Sequence, residues 1–293
     1  MSADAGRPAF VDLHTHSTAS DGTLSPEGVV EAAKRANLAA IALTDHDSIA
    51  GVVPARAAGE IAGIRVVAGC ELSAFHDDHE VHLLALHLTR LDTLEQRLIE
   101  LRNMRFDRAQ KIVDKLNSLG VELTLDEVLL QSNGGAVGRP HVARALIARG
   151  AVHDFKDAFS RYLGSGGAAF VPKAKLSIED AIEIAHEAGG LAIWAHPAEG
   201  GRRERLEPLV NAGLDGVEVR HPSHTPDDVK RLEALAGFFG LVMSGGSDWH
   251  GAPEGPRKLG IMNVPLSWLE SQDQRVASTS SASVRQDGSQ LGT

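Results

Sequence analysis

Seven short apolar runs, separated by amphipathic segments, constrain the fold of this chain more than any other feature of its sequence. Each run is rich in Val, Ile, Leu and Ala with little polar alternation, which is typical of strands buried on both faces of a parallel sheet. The segments between them carry helix start signals, of which Ser25-Pro26, Ser177 and Thr225-Pro226 are the clearest. Because strands alternate with helices, the sequence predicts an α/β fold, open or closed into a barrel. The runs are AFVDLHTH, LAAIALTDHD, IRVVAGCELS, VHLLALHL, GLAIWAHP, DGVEVRHP and GLVMSGGSDWH.

A helical stretch between residues 92 and 175 interrupts this alternation. We therefore predict a discontinuous barrel, formed by residues 1–91 and 176–270, and a helical insertion at 92–175 that covers the substrate. The insertion has 13 Lys and Arg against 10 Asp and Glu, a net charge of +3, which leaves −13 for the rest of the chain. Residues 271–293 are rich in Ser and Gln with little to bury, which predicts a disordered tail.

Charge and cysteine content exclude several classes of protein. The net charge of −10 argues against a protein that grips long nucleic acid or an anionic membrane surface. A single cysteine rules out an intramolecular disulfide framework and suits a reducing compartment. The first ten residues lack the apolar segment of a secretory signal, and no apolar run is long enough to span a bilayer. We expect a cytoplasmic enzyme, and its oligomeric state stays open.

Histidine and acidic side chains stand at or just after the ends of the predicted strands. Because sites in parallel α/β folds assemble at the carboxyl ends of strands, we expect these side chains to converge. Residues i and i+2 of a strand point the same way, so the His14–His16 pair can bind one ion, as can the Asp248–His250 pair. The candidate metal ligands are His14, His16, Asp21, His46, Glu71, His82, His196, Asp248 and His250.

The number and type of these candidates indicate the metal content. Nine ligands exceed what one ion can use, so we expect two or three divalent ions. Imidazole and carboxylate together suit manganese, zinc or iron rather than calcium or magnesium, and manganese is the metal expected here. A lone His-x-His pair would be weak evidence for a metal site. Candidate ligands at the ends of the other strands make the combined pattern specific for such a site.

The motifs also carry a resemblance to a known family. DLHTHSTASDG, LTDHD, GCELSA, VHLLAL, AHP and GGSDWH occur in this order and resemble the PHP (polymerase and histidinol phosphatase) domain family. The segments GRPHVARALIARG and FVPKAKLS are similar to the TrpH/YciV-type phosphoesterases of that family. The resemblance runs from about Phe10 to Val264. It implies a distorted (β/α)7 barrel of PHP type with a helical insertion and up to three metal ions.

By motif position, the resemblance also implies a division of the ligands. It assigns His14, His16, Glu71 and Asp248 to a first ion, Glu71, His82 and His196 to a second, and Asp21, His46 and His250 to a third. The implied activity is phosphoester hydrolysis on nucleotides, as a 3',5'-bisphosphate nucleotide 3'-phosphatase, a 5'-to-3' exoribonuclease on short RNA, or both. The expected substrate is a small phosphorylated nucleotide or a short oligoribonucleotide.

Residues that would act on the substrate are expected near the metal ligands and in the insertion. Arg139 follows a glycine-rich loop and offers a bidentate fork for phosphate. Asp248, His224 and Arg139 are the candidate catalytic residues. The candidates for clamping a second phosphate or protonating the leaving oxygen are His141, Lys173, Lys175 and His224, although plain surface charge explains the two lysines equally well.

Three alternatives remain at this stage. Histidinol-phosphate phosphatase activity also occurs in this family, and the type of insertion argues against it. A C–N-cleaving amidohydrolase typically uses a lysine near the fourth strand, where VHLLALHL has histidine instead. The third alternative is a non-catalytic metal-binding module, which would not need so complete a set of metal ligands.

Overall fold

The structure is a computed structural model that describes residues 10–77, 79–132, 137–172, 175–252 and 255–287, with side chains described up to residue 279. The chain divides into two compact units. Unit 1 combines residues 1–95 with residues 176–293, and unit 2 comprises residues 96–175. Among the described residues, no helix has the length and apolar character needed to cross a membrane.

Unit 1 contains one eight-stranded sheet. Its strands are β1 (Phe10–Thr15), β2 (Ala40–Leu43), β3 (Arg65–His76), β4 (His79–Leu86), β5 (Leu191–Trp194), β6 (Gly216–Arg220), β7 (Val242–Gly245) and β8 (Val264–Pro265). The order across the sheet is β7-β6-β5-β4-β3-β2-β1-β8. A parallel bridge joins Thr15 to Trp249, so β1 meets the chain that leaves β7 and the barrel is nearly closed. The seven apolar runs become β1 to β7, which confirms the predicted α/β barrel.

The sheet is not parallel throughout, although the apolar runs predict a parallel sheet. Strand β4 is antiparallel to both β3 and β5, and β8 is antiparallel to β1. Only two residues separate β3 from β4, far fewer than a crossover helix needs, so the two strands must pair as a hairpin. As a result, the amino-terminal half of β4 lies at the edge where the parallel strands end, and His82 pairs there with Ser73.

Ten helices occur in the part of the chain that the structure describes. They are α1 (Pro26–Arg35), α2 (Val52–Ala62), α3 (Leu91–Ser118), α4 (Leu125–Ser132), α5 (Arg139–Ala148), α6 (Phe155–Ala158), α7 (Ile178–Glu187), α8 (Arg203–Asn211), α9 (Pro226–Phe239) and α10 (Leu266–Asp287). A π-helix at Phe159–Leu163 and a 3₁₀-helix at Ala198–Gly200 complete the set. The side chains of Ser25, Ser177 and Thr225 accept hydrogen bonds from the first turns of α1, α7 and α9, as their sequence signals predict.

Helix α10 corrects the expectation of a disordered tail from residue 271. Leu269 is fully buried in the barrel core, and the Gln272 amide donates to the Met243 carbonyl at 2.8 Å. The Arg65 guanidinium donates to both carboxylate oxygens of Asp273 at 2.7 and 2.6 Å. These contacts hold the helix to the barrel, although its Ser- and Gln-rich composition suggests disorder. Residues 288–293 lie outside the described part of the chain.

Unit 2 is helical and has a hydrophobic core of its own. Ile112 and Leu116 of α3 pack with Val142 and Leu146 of α5 and with Leu163 of the π-helix, and all five are at most 2% exposed. Burial of these side chains contributes roughly 1.5–3 kcal/mol each to the stability of the unit.

Candidate metal centre

Glu71, at the edge where the barrel strands end, lies at the centre of a cluster of histidines. Its side chain is 1% exposed. One carboxylate oxygen, Oε2, lies 3.1 Å from His14 Nε2, 3.2 Å from His16 Nε2 and 3.4 Å from His46 Nδ1. The other oxygen, Oε1, lies 2.8 Å from His82 Nδ1 and 3.0 Å from His196 Nε2. Each oxygen of this one carboxylate therefore faces a different group of imidazoles.

Asp248, just beyond β7, forms a second centre of the cluster. Its Oδ1 lies 3.1 Å from His16 Nε2 and 3.6 Å from His250 Nδ1. Asp21 reaches the same region, with its Oδ1 3.3 Å from His250 Nε2. All nine side chains proposed from the sequence as metal ligands therefore lie within 3.4 Å of at least one other member of the set.

Glu218 of β6 contacts His14 at the ring nitrogen that does not face Glu71. It is absent from the sequence-based candidates. It is fully buried, and its Oε1 lies 3.1 Å from Nδ1 of His14. Its Oε2 accepts the backbone N–H of His196 at 2.8 Å. A carboxylate in an otherwise apolar buried strand needs a partner, so the sequence DGVEVR carried a usable signal.

Two further buried carboxylates hold the loops that carry candidate ligands. Asp12 accepts the backbone N–H groups of Ser247 at 2.9 Å and Gly260 at 2.7 Å, which fixes the segment around Asp248. Asp45 accepts hydrogen bonds from the N–H and hydroxyl of Ser17 at 2.7 and 2.8 Å, close before Asp21. These two carboxylates orient the segments that carry Asp248 and Asp21, and neither of them is itself a candidate metal ligand.

Close packing of β7 against β1 depends on a glycine. A Cβ on Gly246 would lie 2.4 Å from the Cβ of His14 and 2.5 Å from its backbone nitrogen. Two candidate ligands also adopt left-handed backbone conformations, His196 with φ of 29° and Asp248 with φ of 51°. Such conformations are costly for residues other than glycine and concentrate at functional sites, where neighbouring contacts impose them.

The charges within the cluster shift the pKa values of its members. Burial alone would raise the pKa of the Glu71 carboxyl, but His14 and the other imidazoles around it hold that pKa well below its usual range. Burial opposes a charged His14, but Glu71 and Glu218 raise the pKa of His14 well above its ordinary value. A hydrogen bond with His250 lowers the pKa of Asp21 to about 2. The cluster therefore keeps ionised carboxylates, and a divalent cation would compete with protons for its imidazoles.

The donor set fits divalent metal ions. His16 is fully buried, and neither of its ring nitrogens has the alignment of a hydrogen bond with a described residue, although Nε2 lies 3.1 Å from Asp248 Oδ1. Two groups of four, His14 with His16, Glu71 and Asp248, and His16 with Asp21, His46 and His250, each place their ligand atoms within 4.8 Å of one another. His46, Glu71 and His82 form a smaller group of the same kind. Clustered imidazole nitrogens and carboxylate oxygens of this kind are typical ligands of divalent metal ions in proteins.

A cavity of about 410 Å³ opens onto this cluster. It is lined by candidate ligands and by Ser223, His221 and Arg257. The Arg257 guanidinium lies 2.6 Å from Oδ2 of Asp248, and His221 Nε2 lies 3.4 Å from the same oxygen. Arg257 brings a cation to a cavity otherwise lined by imidazole, carboxylate and hydroxyl groups. It lies in a loop, so no strand or helix pattern in the sequence identifies it as a residue of the site.

His224 does not join the cluster. Its Nδ1 donates to the Val219 carbonyl at 2.8 Å, and its Nε2 accepts the Ala198 N–H at 3.1 Å. Both ring nitrogens are therefore engaged with the backbone, and the expected roles of His224 in proton transfer and substrate binding do not fit this geometry. Burial also lowers the pKa of His224, which favours the neutral ring that these bonds require.

The remaining substrate-binding candidates belong to unit 2. Arg139 begins α5, donates from Nη1 to the Leu163 carbonyl at 3.0 Å and has its guanidinium carbon 5.6 Å from the Phe159 ring centre. His141 Nδ1 accepts the Gly138 N–H at 3.0 Å. Lys175 is exposed, and Lys173 lies outside the described residues.

Comparisons with known proteins agree with the geometry. The PHP domain profile matches residues 12–171. The chain is 34% identical over 256 residues to the 5'-3' exoribonuclease Rnm of Escherichia coli strain K12, covering 85% of this chain and 87% of that protein. It is 36% identical over 262 residues to the 3',5'-nucleoside bisphosphate phosphatase of Chromobacterium violaceum, covering 86% of this chain and 91% of that protein.

A solved structure is similar over nearly the whole chain. It belongs to a protein of Bifidobacterium adolescentis assigned as a metal-dependent phosphoesterase, with a TM-score of 0.68 and 31% sequence identity. The match covers 91% of this chain and 96% of that one. The fold, the profile match and these identities together establish that the chain belongs to the PHP domain family, as its strand-end motifs predict.

Proposed function

We propose that this chain is a metal-dependent phosphoesterase that hydrolyses phosphoesters of nucleotides. The observation that carries the proposal is the position of Glu71, whose two carboxylate oxygens each face separate imidazoles at 2.8–3.4 Å. A carboxylate in that position is suited to bridge two ions, and paired ions are a recurrent device for phosphoester hydrolysis.

The proposed ligand sets follow the motifs and the proximity of the side chains. His14, His16, Glu71 and Asp248 would hold the first ion, and Glu71, His82 and His196 the second. Asp21, His46 and His250 would hold a third. We propose manganese as the metal, with zinc or iron as alternatives, because the donors are imidazole nitrogens and carboxylate oxygens.

Bound divalent ions would supply an activated water nucleophile and would stabilise negative charge on the phosphoryl oxygens. The chain's own residues prepare that chemistry. Glu218 holds the His14 ring and the His196 backbone in place, at 3.1 and 2.8 Å. Arg257, 47% exposed beside Asp248, is positioned to contact a phosphoryl group entering the cavity. Arg139 stays our candidate for a further phosphate contact.

The proposed substrates are 3',5'-bisphosphate nucleotides, which would lose the 3'-phosphate, and short 5'-phosphorylated RNA. Relatives with these named activities are 34–36% identical over at least 85% of this chain. A net charge of −10 disfavours a long polyanion, because most of the surface would repel it.

The test is metal analysis of the purified protein, combined with phosphate release in the presence of Mn(II). The panel contains adenosine 3',5'-bisphosphate, 3'-AMP and histidinol phosphate. We expect the bisphosphate to be hydrolysed best, giving AMP, and the Glu71→Gln variant to lose both bound metal and turnover. The exposed Glu60→Gln substitution is the matched control. Absence of metal-dependent hydrolysis, or a preference for histidinol phosphate, would contradict the proposal.

A further inference from the structure

His221 directly follows β6 and lies beside the metal centre, although it is not one of the nine candidate ligands. It is 2% exposed. Its ring centre lies 5.1 Å from that of His196 and 6.0 Å from that of His14. Together with Ser223 it also lines the cavity that opens onto the cluster. A buried polar ring needs partners for its two nitrogens, and these partners indicate what the ring does.

The neighbouring backbone determines which nitrogen of His221 carries the proton. The backbone N–H of Ser223, which can only donate, makes a hydrogen bond to Nδ1 at 3.1 Å. The Ser223 hydroxyl lies 2.7 Å from the same nitrogen. Nδ1 is therefore an acceptor, and in the neutral ring the proton is on Nε2. A ring in this tautomer has no lone pair at Nε2 for a cation, so His221 is suited to donate a hydrogen bond rather than to bind a metal ion.

Nε2 of His221 faces the carboxylate of Asp248. It lies 3.4 Å from Oδ2, at the distance of a long hydrogen bond. The other carboxylate oxygen, Oδ1, lies 3.1 Å from His16 Nε2 and 3.6 Å from His14 Nε2. The two oxygens therefore have different surroundings, with a donor at Oδ2 and candidate ligands at Oδ1. A donor at one oxygen restricts rotation of the carboxylate and so determines which oxygen faces the other ligands.

Arg257 also contacts Oδ2 of Asp248, but it is the more exposed of the two donors. Its side chain is 47% exposed, whereas that of His221 is 2% exposed. Exposed ion pairs contribute little, because solvent screens them and a long side chain loses entropy when it is fixed. His221 lies in a short turn, where its carbonyl accepts the His224 N–H at 3.0 Å. The buried imidazole is therefore the better candidate for a constant support of Asp248.

We propose that His221 is a positioning residue, which holds Oδ2 of Asp248 through its Nε2–H and thereby presents Oδ1 to the metal centre. The proposal rests on the metal centre of the proposed function, but it does not depend on which phosphoester is hydrolysed. His221 acts through Asp248 and needs no contact of its own with substrate or metal ion. Loss of a partner of this kind typically lowers metal affinity by about tenfold to a hundredfold.

Two substitutions separate the N–H group of His221 from the shape of its ring. His221→Phe keeps a ring but removes both nitrogens, whereas the amide of His221→Gln can place an N–H near the position of Nε2. We expect His221→Phe to lower Mn(II) affinity by about tenfold to a hundredfold and His221→Gln to retain most of it. Competition with a chromophoric chelator measures the affinities, and melting temperatures of the metal-free proteins report any loss of folding.

His224→Gln, in the same turn, is the matched control. The ring of His224 contacts backbone groups and does not reach Asp248, so this variant should bind Mn(II) as the wild type does. If His221→Phe does not fold, His221→Asn takes its place, because the shorter amide reaches only the position of Nδ1.

A double-mutant cycle tests whether His221 acts through Asp248. Once Asp248→Ala has removed the carboxylate, adding His221→Phe should cause no further loss of Mn(II) affinity. Losses that multiply, wild-type affinity in His221→Phe, or an equal loss in His221→Gln and His221→Phe would overturn the inference. The last result would indicate that His221 is itself a ligand. If the wild type binds Mn(II) but hydrolyses no phosphoester, the proposed function fails and the cycle still decides the role of His221.

Discussion

Glu218 and His14 form a fully buried pair in which Oε1 of the carboxylate lies 3.1 Å from Nδ1 of the imidazole. The opposite ring nitrogen, Nε2, lies 3.1 Å from Glu71. The carboxylate therefore sets the orientation of the ring and the position of its proton, and it leaves Nε2 for a metal ion. Partners of this kind raise the basicity of a ligating histidine.

Replacing Glu218 by Gln should weaken metal binding without removing a ligand. An amide keeps the shape of the side chain but cannot supply the negative charge behind His14. We expect about a tenfold to a hundredfold loss of metal affinity, measured by competition with a chromophoric chelator. The exposed Glu204→Gln variant on α8 is the control. Equal affinities of wild type and Glu218→Gln would assign Glu218 to folding alone.

Asp248→Asn tests the metal centre itself. The carboxylate faces His16 at 3.1 Å on one oxygen and Arg257 at 2.6 Å on the other. The neutral amide should lower metal content and abolish turnover, with the fold retained. Metal analysis, phosphate release and circular dichroism would be measured on the same preparation. Full activity with an intact metal complement would remove Asp248 from the ligand set.

Much of the barrel could be predicted because each buried strand leaves a continuous apolar run in the sequence. The ligand candidates could be predicted for the same reason, since an apolar run that ends in histidine or a carboxylate marks a strand end. Apolar content carries no information on strand direction, so the apolar runs alone cannot predict that β4 is antiparallel. The short connection between His76 and His79 contained that information, since it excludes a crossover helix.

The residues that support the metal centre are harder to predict from the sequence than the ligands. Asp12 and Glu218 are carboxylates within buried strands, a signal that could have been used, but their partners are distant in sequence. His224 shows the reverse error, because its place after β6 resembles that of a ligand while its ring bonds to the backbone. Arg257 lies in a loop, where no periodic pattern indicates which way a side chain points.

Arg139→Lys tests the candidate phosphate contact of unit 2. The substitution keeps the charge but loses the planar fork, so we expect kcat/KM for the bisphosphate to fall by about tenfold to a hundredfold with metal content unchanged. Because Arg139 also donates to the Leu163 carbonyl, thermal stability must be measured in parallel. A lower melting temperature with unchanged kinetics would assign Arg139 to packing within unit 2.

Leu269→Ala tests whether α10 is part of the barrel. Leu269 is fully buried with residues of the strands, so removing its side chain should leave a cavity and destabilise the protein by about 2–5 kcal/mol. Urea denaturation would measure the change, with the exposed Glu270→Ala variant as control. Equal stability of the two variants would contradict the packing of α10 against the barrel core.

His186 and Asp215 give the stability of unit 1 a pH dependence that is independent of the metal centre. His186 Nε2 lies 2.7 Å from Asp215 Oδ2, and this hydrogen bond raises the pKa of His186 above 6.5, although burial opposes the charged ring. A histidine whose pKa is raised by folding stabilises the folded state in its protonated form. That contribution is complete below the unfolded pKa and disappears as the pH rises through the folded pKa.

The difference in unfolding free energy between wild type and His186→Gln should therefore be largest near about pH 6 and should shrink towards about pH 9. The effect will be small, because His186 is 40% exposed and solvent screens the pair. Urea denaturation at matched metal concentration would measure it, with His153→Gln, an exposed histidine of unit 2, as control. A difference that grows with pH would mean that the neutral ring, rather than the ion pair with Asp215, stabilises the contact.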